Sequence, residues 1–463
     1  MTDTERLVDW IWSLRFGDLT SSVVDKSKEL LLDHIGIAIR GSRSESSQAI
    51  QRYIRAQGFC SETCTIIGTG KAAHPLDAVL ANGVAAHSIE CDDVHNRSST
   101  HPGAVVFPTA LAVSQMTGTG EEEFVLAVAS GYEIMGRVGA AANPEGLFRR
   151  HFHPTGPVGV LAASVVAARL LGLSDRKAVS ALGIAADGAS GSMQFLVDQG
   201  WTKHLHPAMA ARNGLQAAML AAHGYQGPRD AISGSRGFLA GYSAAPRQGL
   251  DLVGLETATP PTAIISTSVK PYANCRYIHP VLDALLAIME AHVPFDVGSV
   301  ESVEVSLPPV AYDIVGRLDP ANRYPRTAER AQFSVHFAVA VALLTGDVTV
   351  DSYQGSTLSD PRVLRLIDRV TCRADEELGQ AYPAHWGAGV KVRHGGQVYA
   401  KVIRDARGDP TNPLALSNLE RKFHQLTTGV CPAVWADEVC RTIQQLPAPG
   451  TLSALHALLS SSH

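Results

Sequence analysis

The chain has 463 residues, of which 45% are hydrophobic and 18% charged, a composition that excludes a disordered protein and predicts a globular one. Its formal net charge is −5, and its 39 Lys and Arg residues form no long basic block, so no nucleic-acid partner is expected. A chain of this length exceeds the usual size of one compact core, and two domains are predicted.

Apolar residues recur at helical spacing through the first half of the chain. The predicted helices comprise residues 21–39, 75–87, 121–138, 157–171, 174–186 and 207–223. Their first turns carry Ser or Thr caps, Pro, or acidic residues, all of which favour a helix start. Faces rich in Ala allow close helix–helix approach, so we expect a packed multi-helix domain. No GxGxxG motif follows a strand here, and a nucleotide site is therefore not predicted.

The pattern changes near residue 270. Residues 300–307 alternate apolar and polar side chains, which predicts a strand. Residues 386–403 contain a Gly-Gly pair between two alternating segments, which predicts a hairpin. Helices are predicted at residues 281–291 and 328–344, and the tail from 413 to 459 is helical again.

These elements predict a mainly α protein with two domains. Residues 1–268 and 405–463 are expected to form a large, discontinuous, all-helical domain. Residues 269–404 are expected to form a smaller α+β domain, because strands and helices alternate there.

Three features predict a cytoplasmic protein. The first six residues are polar and acidic, so no secretory signal peptide is expected. No run of about 18 uncharged apolar residues occurs, so neither a membrane span nor a membrane partner is expected. The seven cysteines form no disulfide pattern, which suits a reducing compartment.

Basic residues precede several predicted helices at breaks marked by Pro. Such breaks leave backbone N–H groups unpaired and expose the positive end of the helix dipole, so several of them in one cleft would suit an anionic substrate. The residues at these breaks are His101, His153, Lys203, His206, Arg276 and His279. Taken singly, each is also explained as a loop histidine or a surface cation; taken together, they predict acid–base chemistry on a small carboxylate.

Acidic residues and Tyr324 complete the set of candidates. Glu90, Asp92 and Asp93 follow a predicted helix, where negative charge is unfavourable, so they indicate either a site or a solvated helix end. Arg276 lies where the helical and mixed regions meet, a favoured position for ligands, and its guanidinium suits a carboxylate. Tyr324 lies in a predicted turn and is a weaker candidate.

Two pairs of alternating histidines raise the question of a metal site. They are His151 with His153 and His204 with His206. Neither pair belongs to a recognised ligand spacing such as HExxH, so no metal is predicted.

The motifs together resemble the MmgE/PrpD family, which includes 2-methylcitrate dehydratases, cis-aconitate decarboxylases and iminodisuccinate epimerases. The similar stretches cover nearly the whole chain in order and are residues 81–87, 92–93, 100–103, 153–156, 203–207, 211–214 and 279. The resemblance implies a large helical domain, a smaller α+β domain, a cleft between them, a homodimer and no cofactor. It also implies functional roles for the acidic motif and for His101, His153, Lys203 and His279.

The acidic motif departs from its relatives in two places. The decarboxylase-like motif is Asp-Phe-Asp-Asp-Thr, whereas this chain has Glu90 at the first position and Val94 at the last. The spacing to His101 is one residue longer, and the Trp and His-Pro-Ser-Asp segment of 2-methylcitrate dehydratases are missing. The resemblance therefore does not select one reaction.

Our hypothesis from the sequence is a cofactor-independent lyase that dehydrates a small di- or tricarboxylate after proton abstraction α to a carboxylate. Epimerisation and decarboxylation of a related carboxylate are the alternatives, and a non-catalytic binding protein is the least favoured. The predicted catalytic residues are Asp93, His101, His153, Lys203 and His279, with His101 or Asp93 as base and His279 or His153 as acid. The predicted substrate-binding residues are Glu90, His206, Arg276 and Tyr324.

Overall fold

The computed structural model describes residues 1–58, 64–198, 200–243, 261–317 and 319–461. The chain divides into two compact units, Met1–Thr267 with Ala415–His463, and Ser268–Leu414. The second unit thus extends ten residues beyond the predicted end of the α+β domain at residue 404. That the units correspond to independently folding domains stays a prediction.

The N-terminal part of the first unit consists of helices and short strands. The helices are α1 (Asp3–Ser13), α2 (Ser21–Gly41), α3 (Glu45–Gln57), α4 (Pro75–His87), α5 (Gly103–Thr117), α6 (Glu121–Ala141), α7 (Pro144–Arg149), α8 (Thr155–Leu170), α9 (Asp175–Asp187), α10 (Phe195–Asp198), α11 (Thr202–Ala222) and α12 (Phe238–Tyr242). The strands are β1 (Cys64–Ile66), β2 (Lys71–Ala73) and β3 (Val94–His95). The antiparallel pair β1–β2 corrects the prediction that this unit is helical throughout.

The second unit contains a mixed four-stranded sheet. After β4 (Thr267–Ser268), its elements are α13 (His279–Ala291), β5 (Val300–Leu307), α14 (Pro309–Ala311), a π-helical turn (Tyr312–Gly316), α15 (Pro320–Arg323), α16 (Ala328–Ala331), α17 (Val335–Thr345), α18 (Pro361–Ile367), β6 (Val370–Ala374), α19 (Glu376–Gln380), β7 (Ala388–His394) and β8 (Gln397–Ile403). The strand order is β6-β5-β7-β8, with β6 parallel to β5 and the other neighbours antiparallel. The chain then returns to the first unit as α20 (Leu416–Thr427), α21 (Ala433–Gln444) and α22 (Thr451–Ser460).

The centre of the first unit is the packing of α8 and α11. Every residue of α8 is buried, as expected for a helix that is apolar or small on all sides. A Cβ at Gly214 of α11 would lie 2.4 Å from the Cβ of Ala163, and a Cβ at Gly83 of α4 would lie 2.6 Å from the Cα of Ala208. Glycine therefore lets α11 approach α8 on one side and α4 on the other, which places the ends of these helices side by side.

The structure confirms the mainly α fold and several predicted elements. Strand β5 coincides with the predicted residues 300–307, and β7 and β8 form the predicted hairpin. Gly395 and Gly396 form its turn at φ values of 58° and 77°, which are the left-handed conformations that a two-residue hairpin turn requires. Within the described residues, none of the helices is long and apolar enough to cross a membrane.

Two predicted helices depart furthest from the structure. Helix α11 begins at Thr202, not at Pro207, which lies inside the helix. Proline favours a first turn, but it is tolerated further in when the packing compensates for one lost backbone hydrogen bond. The predicted helix 328–344 is two helices, α16 and α17, because Ser334 leaves the helical conformation and caps α17 through the N–H of Phe337.

Candidate active site

Four helix ends meet in the first unit and carry most of the candidate residues. Helix α4 ends at His87, while α5, α8 and α11 begin at Gly103, Thr155 and Thr202. The three N-termini lie beside one group of side chains, and helix N-termini favour bound anions. The break motifs at His101, His153 and Lys203 therefore come together here, because the helices that follow them pack side by side.

Four imidazole rings form the centre of this group. The ring centroid of His87 lies 4.8 Å from that of His101 and 5.6 Å from that of His153, and the last two are 5.9 Å apart. The Nδ1 atoms of His153 and His206 are 3.2 Å apart. His87 is fully buried and His153 nearly so, whereas the side chain of His101 keeps 12% of its surface exposed.

Asp92 lies between two of these rings. Its Oδ2 is 2.6 Å from Nδ1 of His87 and 3.3 Å from Nδ1 of His101. Burial alone would raise the pKa of Asp92, but the interactions with His87 and His101 outweigh burial and hold that pKa well below its usual range. Burial lowers the pKa of His87 well below its usual value despite Asp92. At neutral pH we therefore assign a charged Asp92 that accepts the Nδ1–H of a neutral His87.

Asp93 has a different environment from its neighbour. Its Oδ1 accepts the backbone N–H of Gly103 at 2.8 Å, and its Oδ2 accepts the hydroxyl of Tyr132 at 2.6 Å. Burial raises the pKa of Asp93 to about 7, although both hydrogen bonds oppose that shift. Because both carboxylate oxygens bind protein donors, the geometry makes Asp93 an anchor for the start of α5.

Lys203 and Glu90 form a buried ion pair beside the imidazoles. Lys203 is the second residue of α11, and its Nζ contacts Oε1 of Glu90. Glu90 has a φ of 53°, in the left-handed region that L-residues rarely adopt. Such backbone strain costs about 1–3 kcal/mol and is concentrated at functional sites, which supports a role for this loop.

The hydroxyl of Thr155 connects two of the histidines. Its Oγ1 accepts the backbone N–H of His101 at 3.2 Å and lies 3.3 Å from Nε2 of His153. Burial, together with the neighbouring imidazoles, lowers the pKa of His153 well below its usual value. Burial and the charge of Lys203 lower the pKa of His206 to about 4. Both rings are therefore neutral at neutral pH.

Three predicted residues lie in the second unit. Arg276 is 3% exposed and pairs with Asp409 at 2.6 Å, and Asp409 also accepts the hydroxyl of Ser268. The guanidinium predicted to bind a substrate carboxylate thus has a buried protein carboxylate as its partner.

His279 and Tyr324 are the other two. His279 is fully buried at the first residue of α13, with Nε2 3.3 Å from the carbonyl oxygen of Asn274 and its ring edge-on to Tyr272. Tyr324 is 38% exposed and donates its hydroxyl to Asp368. The predicted catalytic role of His279 and substrate role of Tyr324 remain predictions.

The structure adds His87 and Tyr132 to the candidate residues, and it places Asp92, which the sequence marked only as part of the acidic motif, against two imidazoles. His87 and Asp92 stand five residues apart around the turn that ends α4, and this short spacing was a usable signal. Tyr132 lies inside the apolar helix α6, 39 residues from Asp93, and nothing local in the sequence marks it.

The mainly α fold and this cluster suit an enzyme that acts on small carboxylates, and comparison with known proteins agrees. Residues 5–250 match the MmgE/PrpD N-terminal domain, and residues 272–445 match the MmgE/PrpD C-terminal domain. The chain therefore belongs to the MmgE/PrpD family.

Its relatives include several cis-aconitate decarboxylases. The cis-aconitate decarboxylase-like protein oryM of Aspergillus oryzae is 29% identical, over 99% of this chain and 97% of its own. The cis-aconitate decarboxylase of Mus musculus is 28% identical over 79% of this chain and 75% of its own. The cis-aconitate decarboxylase of Aspergillus terreus is 26% identical over 81% of this chain and 79% of its own. The predicted homodimer and cytoplasmic location stay predictions.

Proposed function

We propose that this chain is a cofactor-independent lyase that removes carbon dioxide from a small unsaturated di- or tricarboxylate of the cis-aconitate class. The observation that carries the proposal is the cluster of His101, Asp92, His153 and Lys203 at three helix N-termini. The relatives support decarboxylation over the dehydration that the sequence alone favours, because those named above are described as cis-aconitate decarboxylases or as similar to them.

Such a decarboxylation needs binding of the remaining carboxylates and delivery of one proton. The carbon–carbon bond to one carboxylate breaks, carbon dioxide leaves, and the released electron pair forms a new carbon–carbon double bond. The electrons of the original double bond take a proton at the adjacent carbon. The enzyme therefore has to stabilise negative charge and supply an acid, and no oxidant or reductant is required.

Binding is assigned to the cationic edge of the cluster. The N-termini of α5, α8 and α11 place the positive ends of three helix dipoles beside a bound carboxylate. Lys203 adds a full positive charge, and Glu90 holds its ammonium group in place. A substrate carboxylate that reaches Lys203 shares it with Glu90, so affinity is expected to depend on both residues.

Proton delivery is assigned to His101. It is the most exposed of the four central imidazoles, and its Nδ1 contacts both the carbonyl oxygen of Asp93 at 2.9 Å and the carboxylate of Asp92. A charged Asp92 behind the ring compensates the positive charge of a protonated His101, while its Nε2 remains for the substrate. His153 is buried and neutral, and we assign it to hydrogen bonding with the substrate.

Dehydration of a hydroxylated relative of the same substrate is the second candidate. Glu90 in place of Asp and Val94 in place of Thr distinguish this acidic motif from the decarboxylase-like one. His101 backed by Asp92 would then act as base, and neutral His153 would hydrogen-bond the hydroxyl, which leaves as water with the proton that His101 took. Epimerisation uses the same proton abstraction without loss of a group.

Proton NMR in D2O, with a metal chelator present, tests the proposal. The panel contains cis-aconitate, citrate, methylcitrate and substituted succinates. We expect cis-aconitate to give new vinyl signals, one deuterium at the protonated carbon and one equivalent of carbon dioxide. Loss of water without carbon dioxide would assign a dehydratase, and deuterium exchange without net product an epimerase.

Two variants link the activity to this site. Lys203→Met is expected to lower kcat/KM by at least about 100-fold, because a charge-assisted contact to the substrate is lost. Lys401→Met, at an exposed position on β8, is the matched control and should retain full activity. Equal activity of both variants would remove Lys203 from the site.

A further inference from the structure

One ring nitrogen each from His87, His101 and His153 lies in a common small space. These three atoms are all within 4.8 Å of one another. The centre of a triangle with sides of about 4.8 Å is about 2.8 Å from each corner. The nitrogens therefore need to close by at most about 0.7 Å to reach the ~2.1 Å of a zinc–imidazole bond. Small side-chain rotations of the three histidines supply shifts of that size.

Asp92 orients two of the three rings in the way that metal ligands are commonly oriented. Its carboxylate lies at Nδ1 of His87 and at Nδ1 of His101, so both rings carry their proton there and keep a lone pair on Nε2. A carboxylate that accepts the far N–H of a ligating histidine fixes the tautomer and strengthens the ligand.

The buried Nε2 of His87 is an unsatisfied group. It has no hydrogen-bond partner among the residues that the structure describes, and its ring is fully buried. Leaving a buried acceptor without a partner costs about 1–3 kcal/mol, and such atoms call for an explanation. A bound cation supplies the missing partner at this position.

The remaining contacts of the cluster are compatible with a cation. His153 has two long contacts, 3.2 Å to Nδ1 of His206 and 3.3 Å to the Thr155 hydroxyl, and can exchange one of them for a metal bond. The charge of Lys203 opposes a cation near His87, but its ion pair with Glu90 compensates that charge. Asp92 contributes one negative charge directly behind two of the ligands.

We propose that His87, His101 and His153 form a binding site for a divalent transition-metal ion of the zinc class, with the fourth coordination position open. Three neutral nitrogen ligands suit zinc, cobalt or nickel and do not suit magnesium or calcium, which take oxygen ligands. Resting on the proposed function, we further infer that the ion excludes the carboxylate substrate, because it occupies the Nε2 of His101 that delivers the proton.

Calorimetry with Zn²⁺ and absorption spectroscopy with Co²⁺ test the site on the full chain after chelator treatment. We expect one Zn²⁺ per chain and visible cobalt bands of a four-coordinate site. His101→Gln and His87→Gln should each weaken zinc binding at least 30-fold, and Asp92→Asn by 10- to 100-fold. His223→Gln, an exposed histidine at the end of α11, is the matched control and should bind zinc as the parent does.

Several outcomes would overturn the assignment. Zinc binding that is absent, or that is unchanged in both His101→Gln and His87→Gln, would rule out this site. Circular dichroism of each variant excludes unfolding as the cause of a loss, and His101→Gln is the safer variant because its side chain is partly exposed.

Activity measurements separate this inference from the proposed function. We expect turnover to persist in chelator and zinc to inhibit competitively with the substrate. Zinc binding without inhibition would support the metal site but contradict the inference that zinc and the substrate exclude each other. Activity that disappears with chelator and returns with zinc would support the site and overturn the cofactor-independent reaction.

Discussion

Asp92 and Asp93 are adjacent in the chain but serve different partners. The carboxylate of Asp92 faces the imidazoles of His87 and His101, whereas that of Asp93 is held by Tyr132 and the backbone of Gly103. On the proposed mechanism Asp92 supports proton transfer, and Asp93 holds the start of α5 in position. The sequence predicted Asp93 as a catalytic residue, and we propose that Asp92 has that role instead.

Substitution of Asp92 tests this division of roles. Asp92→Asn is expected to lower kcat by about 100-fold or more, because the amide cannot compensate the charge of a protonated His101. The substrate KM should change little, since Asp92 has the imidazoles between it and the ligand. Steady-state kinetics and circular dichroism measure both effects. Unchanged kcat in a folded variant would contradict the role of Asp92.

The raised pKa of Asp93 predicts that the stability of the protein depends on pH. Its pKa is about 7 in the folded protein against an ordinary value of 3.8, so the folded state binds this proton more tightly than the unfolded chain. Its contribution to stability is fully present below about pH 4 and is lost as the pH rises through about 7. One such group changes the free energy of unfolding by at most about 1.4 kcal/mol per pH unit.

Asp93→Asn mimics the protonated carboxyl and should remove this slope. Denaturant titrations of the parent and the variant between about pH 5 and pH 7 measure the difference. We expect the parent to lose stability relative to the variant as the pH rises. Parallel stability curves would show that Asp93 does not titrate in this range.

At the scale of elements, the close approach of α8 and α11 decides where the site residues lie. A Cβ at Gly214 would come within 2.7 Å of the Val160 carbonyl oxygen and the Ser164 nitrogen, which are backbone atoms and cannot rotate away. The two helices have to separate to accept any larger residue there. Since His153 lies just before the first residue of α8 and Lys203 is the second residue of α11, such a shift also moves the site.

Gly214→Ala is therefore expected to destabilise the protein by about 1–3 kcal/mol through overpacking and to lower activity. Thermal unfolding and kcat/KM measure the two effects. Gly17→Ala is the control, because nothing lies within 4 Å of a Cβ at that position. Equal stability of the two variants would show that the helices accommodate a methyl group.

The C-terminal helix α20 supports the acidic loop from behind. Its Lys422 is buried, forms an ion pair with Asp33 of α2 at 2.5 Å and donates to the carbonyl oxygen of Cys91 at 3.0 Å. Cys91 lies between Glu90 and Asp92, so this contact positions the backbone from which both acidic side chains extend.

Lys422→Met should cost about 3–5 kcal/mol of stability, because Asp33 is left as an unpaired buried carboxyl. The double variant Asp33→Asn with Lys422→Met is expected to recover much of that loss. It should nevertheless keep a reduced kcat, since the bond to Cys91 remains absent. Full recovery of both stability and kcat would limit Lys422 to charge pairing.

At the scale of the whole molecule, matches over most of the chain support the family, whereas only a few side chains bear on which reaction the protein catalyses. Matches to both MmgE/PrpD domains extend over most of the chain, and the relatives named above include cis-aconitate decarboxylases. The reaction is a proposal, and the acidic motif differs from the decarboxylase-like one at two positions, Glu90 and Val94. In the structure the Glu90 side chain contacts Lys203. On the proposed mechanism Glu90 therefore holds the ammonium group in place.

The sequence by itself determined the features that depend on neighbouring residues. Strand β5 and the hairpin β7–β8 agree with prediction because alternation and a Gly-Gly turn are local signals. The helix α4 begins and ends at the predicted residues, since Pro75 and the apolar spacing mark it locally. The motifs at His101, His153 and Lys203 were visible for the same reason.

Only the tertiary structure decided which of these residues act together. The role of Asp93 depends on Tyr132, which is 39 residues away in the sequence. Tyr132 lies in an apolar helix, and its sequence context gives no sign of a polar partner. The burial of Lys203 depends on α11 beginning five residues before Pro207, where packing outweighs the local preference of proline for a first turn. Arg276 also lies at a break marked by Pro and was predicted to bind substrate, but its guanidinium pairs with the buried carboxylate of Asp409. Pairing between distant segments follows from packing and has no local signature in the sequence.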